Sequence, residues 1–450
     1  MQDYGVYGGY GGYPPPPQPP RRPGAWRYVA VAVAAGALGA GTVLAIGHST
    51  SGSSAAEQVP APASSGSAPQ TLPNQGNGGG FGGNGFGGYG FGSGSGLSAA
   101  DQAIYNKVKP GLVIIDDSLN YQSEEAAGTG MVLSSSGLVL TNNHVIENAT
   151  SITATVVATG KTYHVKVLGY DETADIAAIQ LEGASGLKTV PLGDSSVVKT
   201  GDSVLAMGNA EGQSEIVPAA GQITAINQTI TASDDNGTDA SETLHGMFQT
   251  NADIVSGDSG GALANSSGQV IGMNTAGDSV QYGNQQATGF AIPVNTALSV
   301  VNKITAGQAS STISLGYPPF IGVFTFGTSS SPQTQQQQAE QAMNGNYFGF
   351  GGGQQSCYNS NADMPAPTSI ASVGSGTLII GSICDTPAAA AGMTSGDVIT
   401  AVNGHAIGSP NSLLDVLSAY KPGDSVTITW VNLSGQTTNS KITLAAGPPR

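Results

Sequence analysis

Residues 250–274 read TNADIVSGDSGGALANSSGQVIGMN, and the central Gly257-Asp258-Ser259-Gly260-Gly261 fits two nucleophile motifs that occur on different folds. As G-x-S-x-G it fits the nucleophile elbow, a strand–turn–helix of an α/β fold in which an acid and then a histidine follow the serine. As G-D-S-G-G it fits a loop of a β-rich fold in which the histidine and the acid come first. The partners of Ser259 therefore decide the fold.

A serine hydroxyl becomes a strong nucleophile when a neighbouring base takes its proton. Of the five histidines, His144 directly follows the apolar strand GLVLT, and active-site residues favour such strand ends. Asp175 opens the strand DIAAIQL, where a carboxylate is costly unless it is paired. Other acids are predicted to be solvated: Asp116, Asp117, Asp171 and Glu172.

The resulting order is His144, Asp175, Ser259, all within one segment of short apolar strands bounded by turns, from residue 111 to 292. The elbow requires a histidine after the serine, and the only one is His405, beyond a linker. The residues after Ser259, GGALANSSG, do not resemble a helix. The α/β alternative is excluded, and the strand pattern predicts a β-barrel or sandwich, closed by a helix after Pro293.

The composition separates disordered from folded segments. Gly (67 residues) and Pro (25) are concentrated in residues 1–25, 73–96 and 327–367. The net charge of −16 argues against a nucleic-acid partner, which requires a basic surface.

Residues 28–47, YVAVAVAAGALGAGTVLAIG, are uncharged and long enough to cross a bilayer as one helix. Arginines precede this run, which predicts a cytoplasmic N-terminus and an exported C-terminal part. A cleaved signal peptide is the alternative. Residues 1–27 are then a disordered Tyr/Gly/Pro-rich cytoplasmic tail, and residues 48–97 a flexible Gly/Ser-rich linker.

Cys357 and Cys384 are the two cysteines of the chain. In an exported protein an even pair permits one disulfide, and two unpaired thiols are the alternative. Neither cysteine lies in a metal-binding pattern, so no metal site is predicted.

Three blocks of sequence together resemble the HtrA (DegP-type) family of trypsin-like serine proteases. They are GTGMVLSSSGLVLTNNHVIENA, ADIAAIQL and GDSGGAL, in that order. AAAAGMTSGDVITAVNG resembles a PDZ domain of the same family. The resemblance implies a mainly β protein: a chymotrypsin-like double β-barrel over residues 98–305, followed by a PDZ domain over 316–446. That PDZ domain carries a Gln/Gly-rich insertion at about 327–367.

Carried over to this sequence, the resemblance makes Ser259 the nucleophile, His144 the general base and acid, and Asp175 the orienting acid. The N–H groups of Gly257 and Ser259 are expected to form the oxyanion hole. Substrate backbone is expected to pair with Asn274, Thr275 and Ala276.

The PDZ domain is expected to bind peptide C-termini by strand addition. The carboxylate-binding loop would be Phe320, Ile321, Gly322 and Val323. Leu413 and Val416 would line the groove, unless they simply fill the PDZ core.

Two residues depart from the family pattern. Asp258 replaces the usual Asn before the serine, and its charge partner is an open question. Asp253 lies six residues before Ser259, the spacing of the acid that gives trypsin its basic-residue preference. The alternative is that the loop turns Asp253 away from the subsite.

The sequence therefore predicts a membrane-anchored, extracytoplasmic serine endopeptidase that cleaves misfolded or exported proteins without a cofactor. The resemblance implies a homotrimer. A non-proteolytic chaperone or PDZ scaffold, and an esterase, are the alternatives.

Overall fold

A computed structural model describes residues 31–34, 97–122, 124–234, 241–278, 288–344, 355–360 and 364–450. The predicted tail 1–27 and nearly all of the predicted linker 48–97 lie outside the described residues. Of the predicted membrane helix 28–47, the structure describes only β1 (Val31–Ala34), an extended segment that pairs antiparallel with residues 231–234. None of the helices in the described residues combines the length and apolar character needed to cross a bilayer.

The first barrel is a closed antiparallel sheet of six strands, in the spatial order β6-β5-β2-β3-β4-β7 with β7 returning to β6. β14 (Ile313–Leu315) adds to the outer edge of β6. The barrel strands are β2 (Leu112–Leu119), β3 (Glu124–Val132), β4 (Leu138–Thr141), β5 (Ser151–Val156), β6 (Lys161–Asp171) and β7 (Ile176–Leu181).

Alternation of buried and exposed side chains explains the closure of this barrel. In β5 and over residues 162–168 of β6 every second residue is buried, whereas four of the first five residues of β7 are both apolar and fully enclosed. The inward residues form one continuous core that includes Val113, Ile115 and Ile152.

The second barrel also closes with six antiparallel strands, in the order β9-β10-β13-β12-β11-β8 with β8 returning to β9. They are β8 (Ser203–Gly208), β9 (Val217–Asp234), β10 (Ser241–Thr250), β11 (Ala262–Asn265), β12 (Val270–Asp278) and β13 (Thr288–Pro293). β11 lies in the segment GGALANSSG after Ser259, for which the sequence predicts no helix. It forms a strand that pairs with β8 on one side and β12 on the other.

In the described part of the protease domain, three helices border the barrels: α1 (Ala99–Val108), α2 (Asn143–Ile146) and α3 (Val294–Thr305). α1 buries Ile104 and Val108, which lie four residues apart, and Pro110 follows in a 3₁₀ turn. α3 begins directly after Pro293 and buries Ala297, Val300, Val301 and Ile304 on one face, as helical spacing predicts.

The C-terminal unit combines short β-ladders with three helices. Its strands are β15 (Pro319–Phe320), β16 (Val323–Phe324), β17 (Thr377–Leu378), β18 (Gly381–Ser382), β19 (Val398–Val402), β20 (His405–Ala406), β21 (Ser425–Val431), β22 (Thr437–Thr443) and β23 (Ala445–Ala446). Its helices are α4 (Pro332–Asn344), α5 (Pro387–Ala390) and α6 (Pro410–Ser418). The α6 helix begins with a Ser409–Ser412 capping box.

The described parts of the Gln/Gly-rich insertion are ordered by specific contacts. α4 carries the fully buried Gln335, whose amide donates to the carbonyls of Ser329 (2.7 Å) and Gly376 (2.8 Å) and accepts from the Leu378 N–H (2.8 Å). Ala339 of α4 and Tyr358 belong to a core with Leu378. Composition alone gave no indication of this helix.

Cys357 and Cys384 form a disulfide, with Cα atoms 5.0 Å apart. The bond joins Cys357, in the C-terminal part of the Gln/Gly-rich insertion, to Cys384, which lies just after β18. The Tyr358 N–H donates to the Ser382 carbonyl and the Cys384 N–H to the Tyr358 carbonyl, both at 2.9 Å.

The prediction that Asp117 and Asp171 are solvated is wrong. Asp117 is 3% exposed because it continues the inward series of Val113 and Ile115 along β2. Asp171 is 6% exposed and accepts hydrogen bonds from the Ala174 N–H (3.1 Å) and the Thr312 hydroxyl (2.9 Å).

Candidate active site

His144, Asp175 and Ser259 come from loops of both barrels. His144 lies on α2, which follows β4, and Asp175 directly precedes β7, so both belong to the first barrel. Ser259 lies in the turn before β11 of the second barrel. The Thr129 N–H donates to the Ser259 carbonyl at 2.9 Å, which ties the serine turn to β3 of the first barrel.

Asp175 holds the histidine through two kinds of contact. Nδ1 of His144 lies 2.9 Å from Oδ2 and 3.0 Å from Oδ1 of the carboxylate, and the His144 backbone N–H donates to Oδ1 at 3.0 Å. Asp175 has φ +52°, a left-handed backbone conformation that is uncommon outside glycine. The carboxylate therefore fixes both the ring and the main chain of His144.

Two neutral side chains complete the surroundings of Asp175, which is 1% exposed. The Asn142 amide donates to Oδ2 at 2.8 Å and to the Asp175 carbonyl at 3.0 Å. The Thr275 hydroxyl donates to Oδ2 at 2.5 Å. These donors offset the desolvation of a buried carboxylate and hold its oxygens in place beside the His144 ring.

Ser259 donates its hydroxyl proton to the backbone carbonyl of Thr275 at 2.9 Å. A hydroxyl has a single proton to donate. In this conformation the proton is therefore directed to the Thr275 carbonyl oxygen.

The turn around Ser259 depends on backbone that only glycine accommodates well. Gly257 has φ +89°, and a Cβ at this position would collide with the Asn209 carbonyl oxygen. The Gly257 carbonyl accepts from the Thr129 hydroxyl at 2.9 Å, and the Ser256 carbonyl accepts from the Glu211 N–H at 2.7 Å. Within the described residues, the N–H groups of Gly257 and Ser259 donate to no protein acceptor.

The carboxyl group of Asp258 is enclosed under this turn and 4% exposed. Oδ2 accepts the Val255 N–H at 3.0 Å, and Oδ1 has no partner among the described residues. Burial first, and then the negative charges of Asp253 and Glu211, raise the pKa of Asp258 to about 7, against the opposing effect of the Val255 hydrogen bond.

Comparison with known proteins identifies two domain families. Residues 128–273 match the trypsin-like peptidase domain and residues 369–439 match the PDZ domain. Serine protease Do-like HtrA of Lactobacillus helveticus is 31% identical over 328 residues, which cover 70% of this chain and 68% of the relative. The chain belongs to the HtrA family of serine proteases.

Two further proteins illustrate the similarity. Serine protease PepD of Mycobacterium tuberculosis is 28% identical over 352 residues, 75% of this chain and 64% of the relative. The solved structure of the HtrA-type protease AlgW with a tripeptide is 25% identical, with a TM-score of 0.40, over 78% of this chain and 98% of that one. The chain thus spans slightly under two thirds of the PepD sequence.

The HtrA family resemblance assigns Asn274, Thr275 and Ala276 to substrate pairing, and the structure places them on β12. Asn274 is fully buried, and its own N–H and carbonyl bond to the Gly261 carbonyl and the Gly260 N–H, both at 2.9 Å. The pairing of β12 with β13 shifts between Asn274 and Ala276, which makes Thr275 a bulge residue. This bulge turns the Thr275 hydroxyl to Asp175 and its carbonyl to Ser259.

Asp253 is exposed, whereas the neighbouring Ile254 is 3% exposed and belongs to the core of the second barrel. The sequence left open whether Asp253 faces a substrate subsite. Its exposed side chain agrees with the alternative in which the loop turns it towards solvent.

The proposed PDZ loop residues have different surroundings. The Phe320 ring stacks on Tyr121 of the protease domain, with centroids 5.8 Å apart and planes at 16°. Gly322 has φ +84°, and its carbonyl accepts the Ile383 N–H at 2.9 Å. Val323 pairs with Ser382 across β16 and β18.

Ile321 and Leu413 are 3% and 4% exposed in the PDZ core, and Val416 packs against the same core. Filling the core therefore accounts for much of the buried surface of these three residues.

Sequence reasoning did not assign a role at Asp175 to Asn142 or Thr275. Asn142 lies in the TNNH segment quoted for the family resemblance, so its proximity to His144 was visible. The described residues contain no group of His, Cys, Asp and Glu side chains arranged to hold a metal ion.

Proposed function

We propose that the protein is a membrane-anchored, extracytoplasmic serine endopeptidase that cleaves misfolded or exported proteins. The observation that supports it best is the pairing of His144 with the fully buried Asp175, beside the serine turn of the second barrel. A buried acid, an imidazole and a serine contributed by two barrels are the components of a Ser-His-Asp triad.

The first step of the proposed reaction is attack of Ser259 Oγ on the carbonyl carbon of the scissile bond. The hydroxyl proton passes to Nε2 of His144, while Asp175 remains ionised and stabilises the imidazolium. The carbonyl oxygen becomes an oxyanion, and the N–H groups of Gly257 and Ser259 donate to it.

Collapse of the tetrahedral intermediate breaks the C–N bond, and His144 gives its proton to the leaving amine. Ser259 then holds the acyl group as an ester. Water attacks that ester with His144 as base, and a second collapse releases the new carboxylate and restores the serine.

Substrate binding itself is proposed to release the nucleophile. A substrate N–H that pairs with the Thr275 carbonyl competes with the Ser259 hydroxyl for this acceptor. The serine proton then turns to His144. An unproductive resting state would result whenever no extended chain lies along β12.

The PDZ domain is proposed to recruit peptide C-termini or extended tails along β16, and the family resemblance supports a homotrimer. Membrane attachment by residues 28–47 rests on their apolar sequence. Protease treatment of intact cells tests this topology. Digestion of the C-terminal domains with protection of the tail 1–27 supports it, and digestion of the tail contradicts it.

The function is tested by fluorophosphonate labelling of the full chain, with the Ser259→Ala variant as control. An unfolded protein and a small ester serve as substrates. Labelling and proteolysis that both disappear in Ser259→Ala support the endopeptidase. Ester turnover without proteolysis indicates an esterase, and absence of label contradicts the triad.

The Ser259–Thr275 hydrogen bond favours a second candidate function. In this alternative the protein is a chaperone or PDZ scaffold whose protease domain is inactive at rest. It differs from the first in one outcome: the protein suppresses aggregation of an unfolded substrate equally well with Ser259→Ala, and cleaves none of it.

A further inference from the structure

Asp258 lies between the two residues whose N–H groups are proposed to bind the oxyanion, and its carboxyl group is enclosed. One oxygen has a single neutral donor, the Val255 N–H at 3.0 Å, and the other has no partner among the described residues. An ionised carboxylate in such a site costs free energy unless a cation pairs with it or several donors bind it.

Within the described residues, no positively charged group acts on the Asp258 carboxyl group. Gly208, the last residue of β8, lies against the Asp258 side chain and is uncharged. The charged groups that act on the carboxyl among the described residues are Asp253, from the preceding loop, and Glu211, from the segment after β8. Both are acids, so both oppose ionisation.

The carboxyl group cannot leave this site without moving the serine turn. The Asp258 N–H donates to the Val255 carbonyl at 3.0 Å, and the Asp258 carbonyl accepts the Gly261 N–H at 2.9 Å. On the other side, a Cβ added to Gly208 would lie 2.6 Å from Oδ1, so the backbone of β8 closes the site.

We infer that Asp258 is a positioning residue that works as a neutral carboxylic acid. Protonated, it fills the site under the turn and holds Gly257 and Ser259 with their N–H groups available. Ionised, it is expelled towards solvent, the turn loosens and the oxyanion site is lost. The enzyme is therefore active on the acid side of neutrality and is switched off reversibly by mild alkalinity.

This inference rests on the proposed function, and it is supported by the raised pKa of Asp258, about 7. The test is the rate of Ser259 labelling by a fluorophosphonate from pH 5.5 to 9, in the full-length protein and in Asp258→Asn. The asparagine has the same shape and cannot ionise. Asp253→Asn, an exposed acid in the same loop, is the matched control.

Between pH 5.5 and 7 the three proteins are expected to show the same profile. Above pH 7 the Asp258→Asn rate stays level while the native rate falls, so their ratio rises about tenfold or more by pH 9. Asp253→Asn follows the native profile, with its fall displaced to slightly lower pH because one opposing charge is removed. A native rate that does not fall, or a fall retained in Asp258→Asn, overturns the inference.

A second measurement decides the matter if Asp258→Asn does not fold. Hydrogen exchange of the native protein, corrected for intrinsic rates, is followed in peptides covering residues 254–261 and in α3. Loss of protection above pH 7 in the serine turn alone supports the inference, and unchanged protection overturns it. Absence of label at every pH contradicts instead the proposed function.

Discussion

Thr275 donates its hydroxyl to Oδ2 of Asp175 at 2.5 Å, across a sequence separation of 100 residues. The same residue accepts the Ser259 hydroxyl on its backbone carbonyl. Thr275 thus connects Asp175 of the first barrel with the turn that carries Ser259 in the second.

Thr275→Val removes the hydroxyl while preserving the shape of the side chain. Asp175 then keeps Asn142 and His144 as partners, but loses a donor from a fully buried site. A hydrogen bond to a charged group contributes about 1.5–3 kcal/mol, so kcat is expected to fall about 10- to 100-fold. KM for a peptide substrate is expected to change little, since the Thr275 carbonyl remains.

The matched control is Thr250→Val, because Thr250 is also buried in the second barrel and its hydroxyl donates to a backbone carbonyl, that of Gln222, at 2.9 Å. It is expected to lower the melting temperature without lowering kcat. Equal kcat in Thr275→Val and the native enzyme would show that Asp175 does not need the threonine.

Local features of the sequence single out His144 and Asp175, whereas the contacts between them depend on the closed barrels. His144 was found at a strand end, and Asp175 at the mouth of an apolar strand. The Thr275 hydroxyl reaches Asp175 only because β12 has a bulge at that position. A bulge depends on pairing with a distant strand, and the local pattern does not reveal it.

The acids were predicted less well. Asp117 follows Val113 and Ile115 at the spacing of an inward-facing strand residue, although it is predicted above to be solvated. The α4 helix was missed for the opposite reason. Its Gln-rich sequence indicated an unstructured insertion, yet Gln335 satisfies three backbone groups and so forms a buried anchor.

Gln335→Ala is expected to lower the stability of the PDZ unit by about 2–4 kcal/mol. The substitution leaves the Leu378 N–H and the Ser329 and Gly376 carbonyls without their partner, and each buried unsatisfied group costs about 1–3 kcal/mol. Chemical denaturation monitored by Trp430 fluorescence measures the change, since Trp430 lies in the PDZ core. The control is Gln337→Ala, an exposed position on the same helix. Similar losses in both variants would contradict the anchoring role.

Reduction of the Cys357–Cys384 disulfide is expected to destabilise the same unit. The bond closes a loop with a sequence separation of 27 residues. The chain-entropy relation gives about 3.6 kcal/mol for this length.

Dithiothreitol, or Cys357→Ser with Cys384→Ser, is expected to lower the melting temperature of the PDZ unit. Labelling of Ser259 should not change, because the bond lies within the PDZ unit. A native melting curve that does not respond to dithiothreitol would contradict the structural role of the disulfide.

Asp117 provides a pH-dependent test of stability in the first barrel. Both of its carboxyl oxygens are buried without a partner among the described residues. It lies opposite Ile152 and Ala126 in the sheet. Burial, and to a smaller extent the charge of Asp116, raise the pKa of Asp117 well above its ordinary value of 3.8. The folded state therefore binds this proton more tightly than the unfolded chain does.

Where the folded state holds more protons than the unfolded state, the free energy of unfolding falls as pH rises. The contribution of Asp117 is thus most favourable at pH values below 3.8 and is lost progressively up to its raised pKa in the fold. Asp117→Asn, which cannot ionise, is expected to be more stable than the native protein at pH 8 by about 1–3 kcal/mol. The difference should shrink towards pH 4.

Asp116→Asn, a half-exposed neighbour that faces outward, is expected to show a smaller change. Urea denaturation at pH 4, 6 and 8 measures all three proteins, and a difference between Asp117→Asn and native that is constant with pH would show that Asp117 does not titrate in this range.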